Sequence, residues 1–324
     1  GDVYFSVDAF PTYGRLSKKP KDDLIAGARV EVDARKRSPV DFALWKEAKP
    51  GEPFWESPWG RGRPGWHIEC SAMSSRWLGD QIDVHHGGED LLFPHHENEI
   101  AQSEAASGKT PFVGCWIHHA FLNLSKEKMS KSLGNIVSAR DFLTQYSGEI
   151  ARYMLLSVHH RVPIDYSDET VEQTLSSLER IYEAKGKALA LSTPPRAMAD
   201  LNAESIWGQF LADCEKATRD IEAHYFNDLN TSGALGALFT LIREFNRVCE
   251  NPRAIGTPSV ALGAREFLRI LEEDIGSVIG VGRLTPEQAH EQISRVRRAR
   301  AAAGRQGEAA SAAVLPSEQE ILAG

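Results

Sequence analysis

The chain has 324 residues, 25% of them charged and 42% hydrophobic, which is an ordinary globular mixture with enough length for a sizeable core and about two domains. Acidic residues outnumber basic ones by 45 to 37, for a formal net charge of −8, so the chain is not basic all over and any nucleic acid has to be held by a local patch. Cys70, Cys115, Cys214 and Cys249 are too scattered for a secreted disulfide framework, and no apolar run is long enough to span a bilayer; a reducing cytoplasm and no membrane fit both.

The first residues, Gly1-Asp-Val-Tyr-Phe5, lack a methionine and already follow a strand-like pattern, which points to a fragment. From Gly1 to about Trp59 the text is punctuated by Gly and Pro, with short β-rich pieces at Val3–Val7 and Ala28–Val32, and predicts a small irregular β-containing region. From Arg63 to about Ala120 short apolar runs alternate with helical ones, the pattern of an α/β layer. Gln81–Val84 is one such run, ending in His85-His-Gly-Gly-Glu-Asp90. A strand that stops at glycines is where an open α/β sheet exposes its ligand crevice, although a plain strand-to-helix connection reads the same way.

Pro94 opens a predicted helix from His95 to about Ser107, closed by Gly108. His95 and Glu99 stand four residues apart and so share a helix face. Phe112 to Phe121 reads as a strand carrying Cys115, Trp116, His118 and His119. Asn123–Asn135 follows, where Lys126, Lys128 and Lys131 with Ser130 and Ser132 offer flexible ammonium groups and hydroxyls to the oxygens of a polyphosphate. A solvated basic loop would have the same composition.

Ala139–His159 predicts one or two helices. Ser167-Asp-Glu opens a long amphipathic helix with Val171, Leu175, Leu178, Ile181 and Tyr182 on one face. Further helical stretches are predicted near 204–225, 231–249, 259–275 and 286–303, the last started by a capping box, Thr285-Pro-Glu-Gln288. Helix after helix with short links reads as an all-α bundle. Residues 301–316, alanine-rich and poor in large apolar side chains, predict a weakly structured tail. Arg295, Arg297, Arg298, Arg300 and Arg305 form the most basic run, either a solvated helix face or an RNA-backbone contact.

Lys128-Met-Ser-Lys-Ser132 resembles the KMSKS signature of class I aminoacyl-tRNA synthetases. Pro64-Gly-Trp-His-Ile-Glu-Cys-Ser-Ala-Met73 and Phe93-Pro-His-His-Glu-Asn-Glu-Ile-Ala-Gln102 resemble the cysteinyl-tRNA synthetase family in particular, and the likeness runs from Gly1 to about residue 250. It implies α/β followed by all-α: the second half of a Rossmann-like class I catalytic domain, then a helical bundle. The implied domains are 1–60 as the end of the connective insertion, 61–165 as the catalytic half with the KMSKS loop, 166–303 as an anticodon-binding-type bundle, and 304–324 as a flexible tail.

By residue type alone, Cys70, His95 and Glu99 read more readily as a buried cysteine and a capped histidine than as a set of zinc donors. The resemblance matches them one for one with the family's zinc positions, and implies a fourth ligand, a cysteine, before Gly1. It further implies that Zn2+ takes the thiol of L-cysteine, that Trp66 walls that side chain, and that His67, His85, His96 and His118 surround the amino-acid and adenylate pocket. Gly87, Gly88 and Asp90 resemble the nucleotide-contact turn, and Lys128, Met129, Ser130, Lys131 and Ser132 the ATP loop, with Lys128 and Lys131 acting on the phosphates of Mg2+–ATP. The implied reaction joins cysteine to ATP as an adenylate and passes it to tRNA(Cys).

Two departures limit the resemblance. The HIGH-type histidine motif is absent from the chain, so the chain alone is expected to be inactive. The small mixed domain that follows the bundle in the family is expected to be truncated or replaced by the alanine-rich tail. Two other readings stay open: a cysteine ligase of mycothiol biosynthesis, and a non-catalytic zinc- and RNA-binding module.

Overall fold

The computed structural model describes residues 1–18, 35–124, 127–128, 138–193, 201–255 and 259–314, which form two compact units, Gly1–Phe121 and Leu122–Gly324. The first is α/β and the second is mainly helical.

In the first unit, β1 (Val3–Phe5), β2 (Phe42–Glu47) and β3 (Gly62–Pro64) make an antiparallel sheet in that order. Gly65 then turns the chain into α1 (Trp66–Leu78), and a Cβ there would lie 2.0 Å from the Ala43 carbonyl oxygen, so only glycine lets β2 come this close to the start of α1. Strand β4 (Ile82–Gly88) pairs in parallel with β5 (Val113–His119), and α2 (Glu97–Ser107) lies between them in sequence, giving one βαβ crossover. Two small apolar clusters hold the unit, one on Val7, Val40, Phe42 and Ala101, the other on Ile82, Ile100, Phe112 and Val113.

Two boundaries differ from expectation. The strand predicted to stop at Val84 continues through His85, His86, Gly87 and Gly88, because β5 offers partners as far as His119. Regular α2 begins at Glu97, not His95, since Leu92–His96 forms a wide π-type turn with Phe93 extended at φ −141° and ψ 132°. Ala28–Val32 lies outside the described residues.

In the second unit, β6 (Leu122–Leu124) pairs antiparallel with β7 (Glu127–Lys128) and parallel with β8 (Ile164–Tyr166). The helices include α3 (Ala139–Gln145), α4 (Gly148–Leu156), α5 (Asp168–Leu191), α6 (Leu201–Phe226), α7 (Thr231–Cys249), α8 (Ser259–Arg269) and α9 (Pro286–Val314). Ser167 caps α5 by accepting from the Thr170 amide, and Val171, Leu175, Leu178, Ile181 and Tyr182 are buried as the periodicity predicts. They join one continuous apolar core with Trp207, Phe210, Leu238, Phe245, Phe267 and Ile293.

Thr285 and Gln288 form the expected reciprocal cap: the Gln288 amide donates to Thr285 Oγ1 at 3.3 Å and the Thr285 amide to Gln288 Oε1 at 3.0 Å. The helix it starts overturns the expectation of a weakly structured segment from 301, for α9 runs on to Val314 and alanine is the strongest helix former. Residues 315–324 of the expected tail lie outside the described residues. Arg297 is spent on Glu172 and Glu179, and Arg300 on Asp168, so part of the basic run ties α9 to α5. Among the described residues, no helix is long and apolar enough to cross a membrane.

Candidate active site

The site is built on α2, a helix with almost no apolar stripe that nevertheless buries Glu97, Asn98, Glu99, Gln102, Ser103 and Glu104. Each of these polar groups therefore needs a partner. Glu97 accepts from the amides of Gly14 at 2.9 Å and Ser17 at 2.8 Å, and Asn98 Oδ1 accepts from the Tyr13 hydroxyl. Glu104 accepts from the Phe112 amide at 2.8 Å and pairs with Arg15. Gln102 donates to the His67 carbonyl and to Ser71 Oγ, both at 2.6 Å, and Ser103 donates to Ser71 Oγ at 2.9 Å, which fastens α2 to α1. These bonds fix the rotation of α2, and the remaining polar face, with the turn before it, carries His95, His96 and Glu99.

Cys70 from α1 meets His95 and Glu99 there, with one donor atom from each lying within 4.8 Å of the others. His95 Nε2 stands 2.9 Å from Glu99 Oε1, yet that buried oxygen accepts no hydrogen bond. With the His95 proton on Nδ1, Nε2 and Glu99 Oε1 would be two lone-pair atoms face to face in a buried place, beside a thiol, an arrangement that suits a shared cation. The donor set of one sulfur, one imidazole and one carboxylate fits zinc by type. Hydrogen-bond geometry is met at the other oxygen, Oε2, which accepts from His85 Nε2 at 2.7 Å.

The electrostatics follow from burial and these contacts. Burial works to raise the Glu99 pKa, but the contacts with His85 and His95 outweigh it and hold the carboxyl down to about 2. Burial, with Glu99 beside it, pushes the Cys70 thiol up to about 11. Burial lowers His67 to about 4, helped by His95, and lowers His96 to about 4 as well. At neutral pH the site thus presents the Glu99 carboxylate, neutral imidazoles at His67 and His96 and a protonated Cys70 thiol.

The other expected site residues of this unit gather around the same point. His67 Nδ1 is 2.9 Å from His95 Nδ1, and His96 Nδ1 is 2.8 Å from His118 Nε2. The Trp66 ring lies 4.7 Å from the His95 ring while Trp66 stays 60% exposed. Gly87 sits beneath His96, where a Cβ would come within 2.6 Å of the ring, and a Cβ on Gly88 would meet Asp90 Oδ1 at 2.5 Å. The backbone of Lys128 pairs with Asn123 in the second unit, and Met129, Ser130, Lys131 and Ser132 lie outside the described residues.

Sequence reasoning missed Phe42, Ser71, Glu97, Gln102 and Trp116. A signal for two of them existed: Glu97-Asn-Glu-Ile-Ala-Gln-Ser-Glu-Ala-Ala-Ser107 is helical in spacing but offers no apolar stripe, so a buried helix of this composition must be anchored by polar side chains. Two other donor groups occur among the described residues. His85, His96 and Glu99 share the carboxylate already described, while His159, His160 and Asp228 surround a carboxylate that Arg161 engages at 2.5 and 3.0 Å, an ion pair that leaves it little capacity for a metal.

The profile of the tRNA synthetases class I (C) catalytic domain matches residues 1–176, more than half of the chain. The chain belongs to this family. A DALR domain profile matches residues 226–280, within the helical unit. The chain is 48% identical over 286 residues to the cysteine–tRNA ligase of Trichlorobacter lovleyi, covering 88% of this chain and 58% of that protein. It is 47% identical over 294 residues to the cysteine–tRNA ligase of Geobacter metallireducens, covering 90% and 59%. The chain thus spans less than two thirds of the curated relatives it matches. In fold it is similar to the Agrobacterium radiobacter K84 LeuRS of a LeuRS-tRNA-LeuAMS ternary complex, with a TM-score of 0.52 at 14% identity over 77% of this chain and 33% of that one.

Proposed function

We propose that this class I synthetase chain contributes to a cysteine–tRNA ligase, which activates L-cysteine with ATP and transfers it to tRNA(Cys). The observation that carries this reading is the triad of Cys70, His95 and Glu99, whose buried Glu99 Oε1 accepts no hydrogen bond while facing His95 Nε2. The names of the relatives support the same substrate. Cys70, His95 and Glu99 would hold Zn2+. When bound, such an ion supplies a Lewis-acid site that favours a thiolate over a hydroxyl, and so separates cysteine from serine without editing.

The chain's own residues supply the rest. Trp66, 60% exposed, offers its ring as an apolar wall to the incoming side chain. His96 and His118, hydrogen-bonded to each other and backed by Gly87, line the pocket at the ends of β4 and β5, the end where an open parallel sheet receives its ligand. Gly87, Gly88 and Asp90 are the proposed nucleotide contact. Lys128 and Lys131, with Met129, Ser130 and Ser132, are assigned to the phosphates of Mg2+–ATP, where fixed positive charge stabilises the displacement at the α-phosphate. No covalent bond to the protein is needed, so positioning and charge stabilisation are the whole of the chain's contribution. We assign residues 1–60, 61–165 and 166–303 respectively to the end of the connective insertion, the catalytic half and the tRNA-facing bundle, and the reaction to the cytoplasm.

The test is cysteine attachment to a tRNA(Cys) transcript by this chain, with and without a separately expressed segment carrying a HIGH-type motif. Attachment only with the segment is expected. Full activity from residues 1–324 alone would contradict the division of the ATP site, and transfer of cysteine to glucosaminyl-inositol in place of tRNA would contradict the substrate.

A further inference from the structure

We propose that His67 and His85 are positioning residues for the metal site, each fixing one donor, and are not contacts to the amino acid. This rests on the reading of Cys70, His95 and Glu99 as metal ligands. Each histidine engages the atom of its ligand that the cluster does not use. His67 Nδ1 meets His95 Nδ1 at 2.9 Å, which leaves His95 Nε2 directed at the cluster. His85 Nε2 meets Glu99 Oε2 at 2.7 Å, which leaves Oε1 directed at the same point.

The proton positions follow. For Nε2 of His95 to offer a lone pair, its proton must sit on Nδ1, which then donates to the Nδ1 lone pair of His67. The Glu99 carboxylate can only accept, so His85 carries its proton on Nε2. One imidazole is therefore held in the ligating tautomer and one carboxylate is fixed about its Cγ–Cδ bond. The two positioning rings are themselves held by the fold. The His67 ring stands edge-on to the buried Phe42 of β2, with centroids 5.7 Å apart and planes at 89°, and its backbone carbonyl accepts from Gln102. The His85 ring stacks on Trp116 of β5 at 4.7 Å and 20°. Through Phe42 and Trp116, both sheets of the unit thus bear on the orientation of the ligands.

Cobalt(II) titration of the whole chain tests this without any turnover, read by the thiolate-to-cobalt charge-transfer band and the d–d bands. His67→Phe and His85→Phe keep ring volume and stacking but remove the nitrogens, whereas His67→Asn and His85→Gln return a polar atom near the lost one. We expect each Phe variant to bind cobalt about 10- to 100-fold more weakly with altered d–d bands, and each amide variant to recover to within about threefold of the wild type. Phe variants that keep their helical circular dichroism and bind cobalt like the wild type would overturn the proposal, as would amide variants that lose as much as Phe. A wild-type chain with no thiolate–cobalt band would overturn the metal reading itself. If a Phe variant unfolds, the 15N shifts of His95 in the zinc-loaded wild type decide: a proton on Nδ1 supports the proposal and a proton on Nε2 overturns it.

Discussion

Helices α2 and α5 are both buried along a face, but they bury opposite chemistries. In α5 the buried positions are Val171, Leu175, Leu178, Ile181 and Tyr182, and they merge into the large apolar core of the helical unit. In α2 they include Glu97, Asn98, Glu99, Gln102, Ser103 and Glu104, and the apolar clusters of that unit are small. Burial of apolar area is non-directional and stabilises in proportion to area, whereas a buried carboxylate tolerates only the geometry that satisfies it. The helical unit is accordingly organised for stability. The α/β unit trades stability for fixed orientation, which a ligand-binding helix needs.

The sharpest test of that contrast is a cavity in the apolar core. Trp207 is fully buried and its Nε1 donates to the Ala254 carbonyl at 2.8 Å, so Trp207→Ala should destabilise the helical unit by about 3–5 kcal/mol. Urea unfolding of the whole chain, followed by helical circular dichroism, measures it; a shift of less than 1 kcal/mol, on the scale of a surface change, would mean that the core is not where the stability lies.

The matching change in the α/β unit is Glu97→Ala, which removes the acceptor of the buried Gly14 amide and of the half-buried Ser17 amide. It should cost about 2–3 kcal/mol, and amide hydrogen exchange should rise at residues 14–17 while α5 stays protected. Equal loss of protection in α5 would erase the distinction between the two units.

The contrast also explains what could be read from the sequence. The helical unit was legible because its cores are written in periodicity and its caps in local motifs: the α5 face and the Thr285 cap both hold as expected. The pairing of His95 with Glu99 was legible for the same local reason, their i,i+4 spacing. Illegible were contacts set by distant chain segments, such as Glu97 with the Gly14–Ser17 backbone, or Arg297 with Glu172 and Glu179. A carboxylate carries no mark in the sequence that says whether it faces water or a backbone amide. The extension of α9 to Val314 was missed because a scarcity of large apolar residues was weighed above the helix propensity of alanine.

A smaller effect sharpens the helical side of the comparison. Thr285→Ala removes the acceptor for the Gln288 amide at the start of α9 and should cost about 1 kcal/mol. Fraying confined to the first turn, read by amide exchange, is the expected outcome, and loss of the whole core would not fit a cap.

The central claim is that Cys70, His95 and Glu99 form a metal site, and zinc content after dialysis tests it most directly. Three protein donors share the affinity, and binding must displace the Cys70 proton, so we expect the chain to retain partial zinc that chelators remove readily. Cys70→Ala should retain none. Stoichiometric zinc surviving in Cys70→Ala would contradict the account.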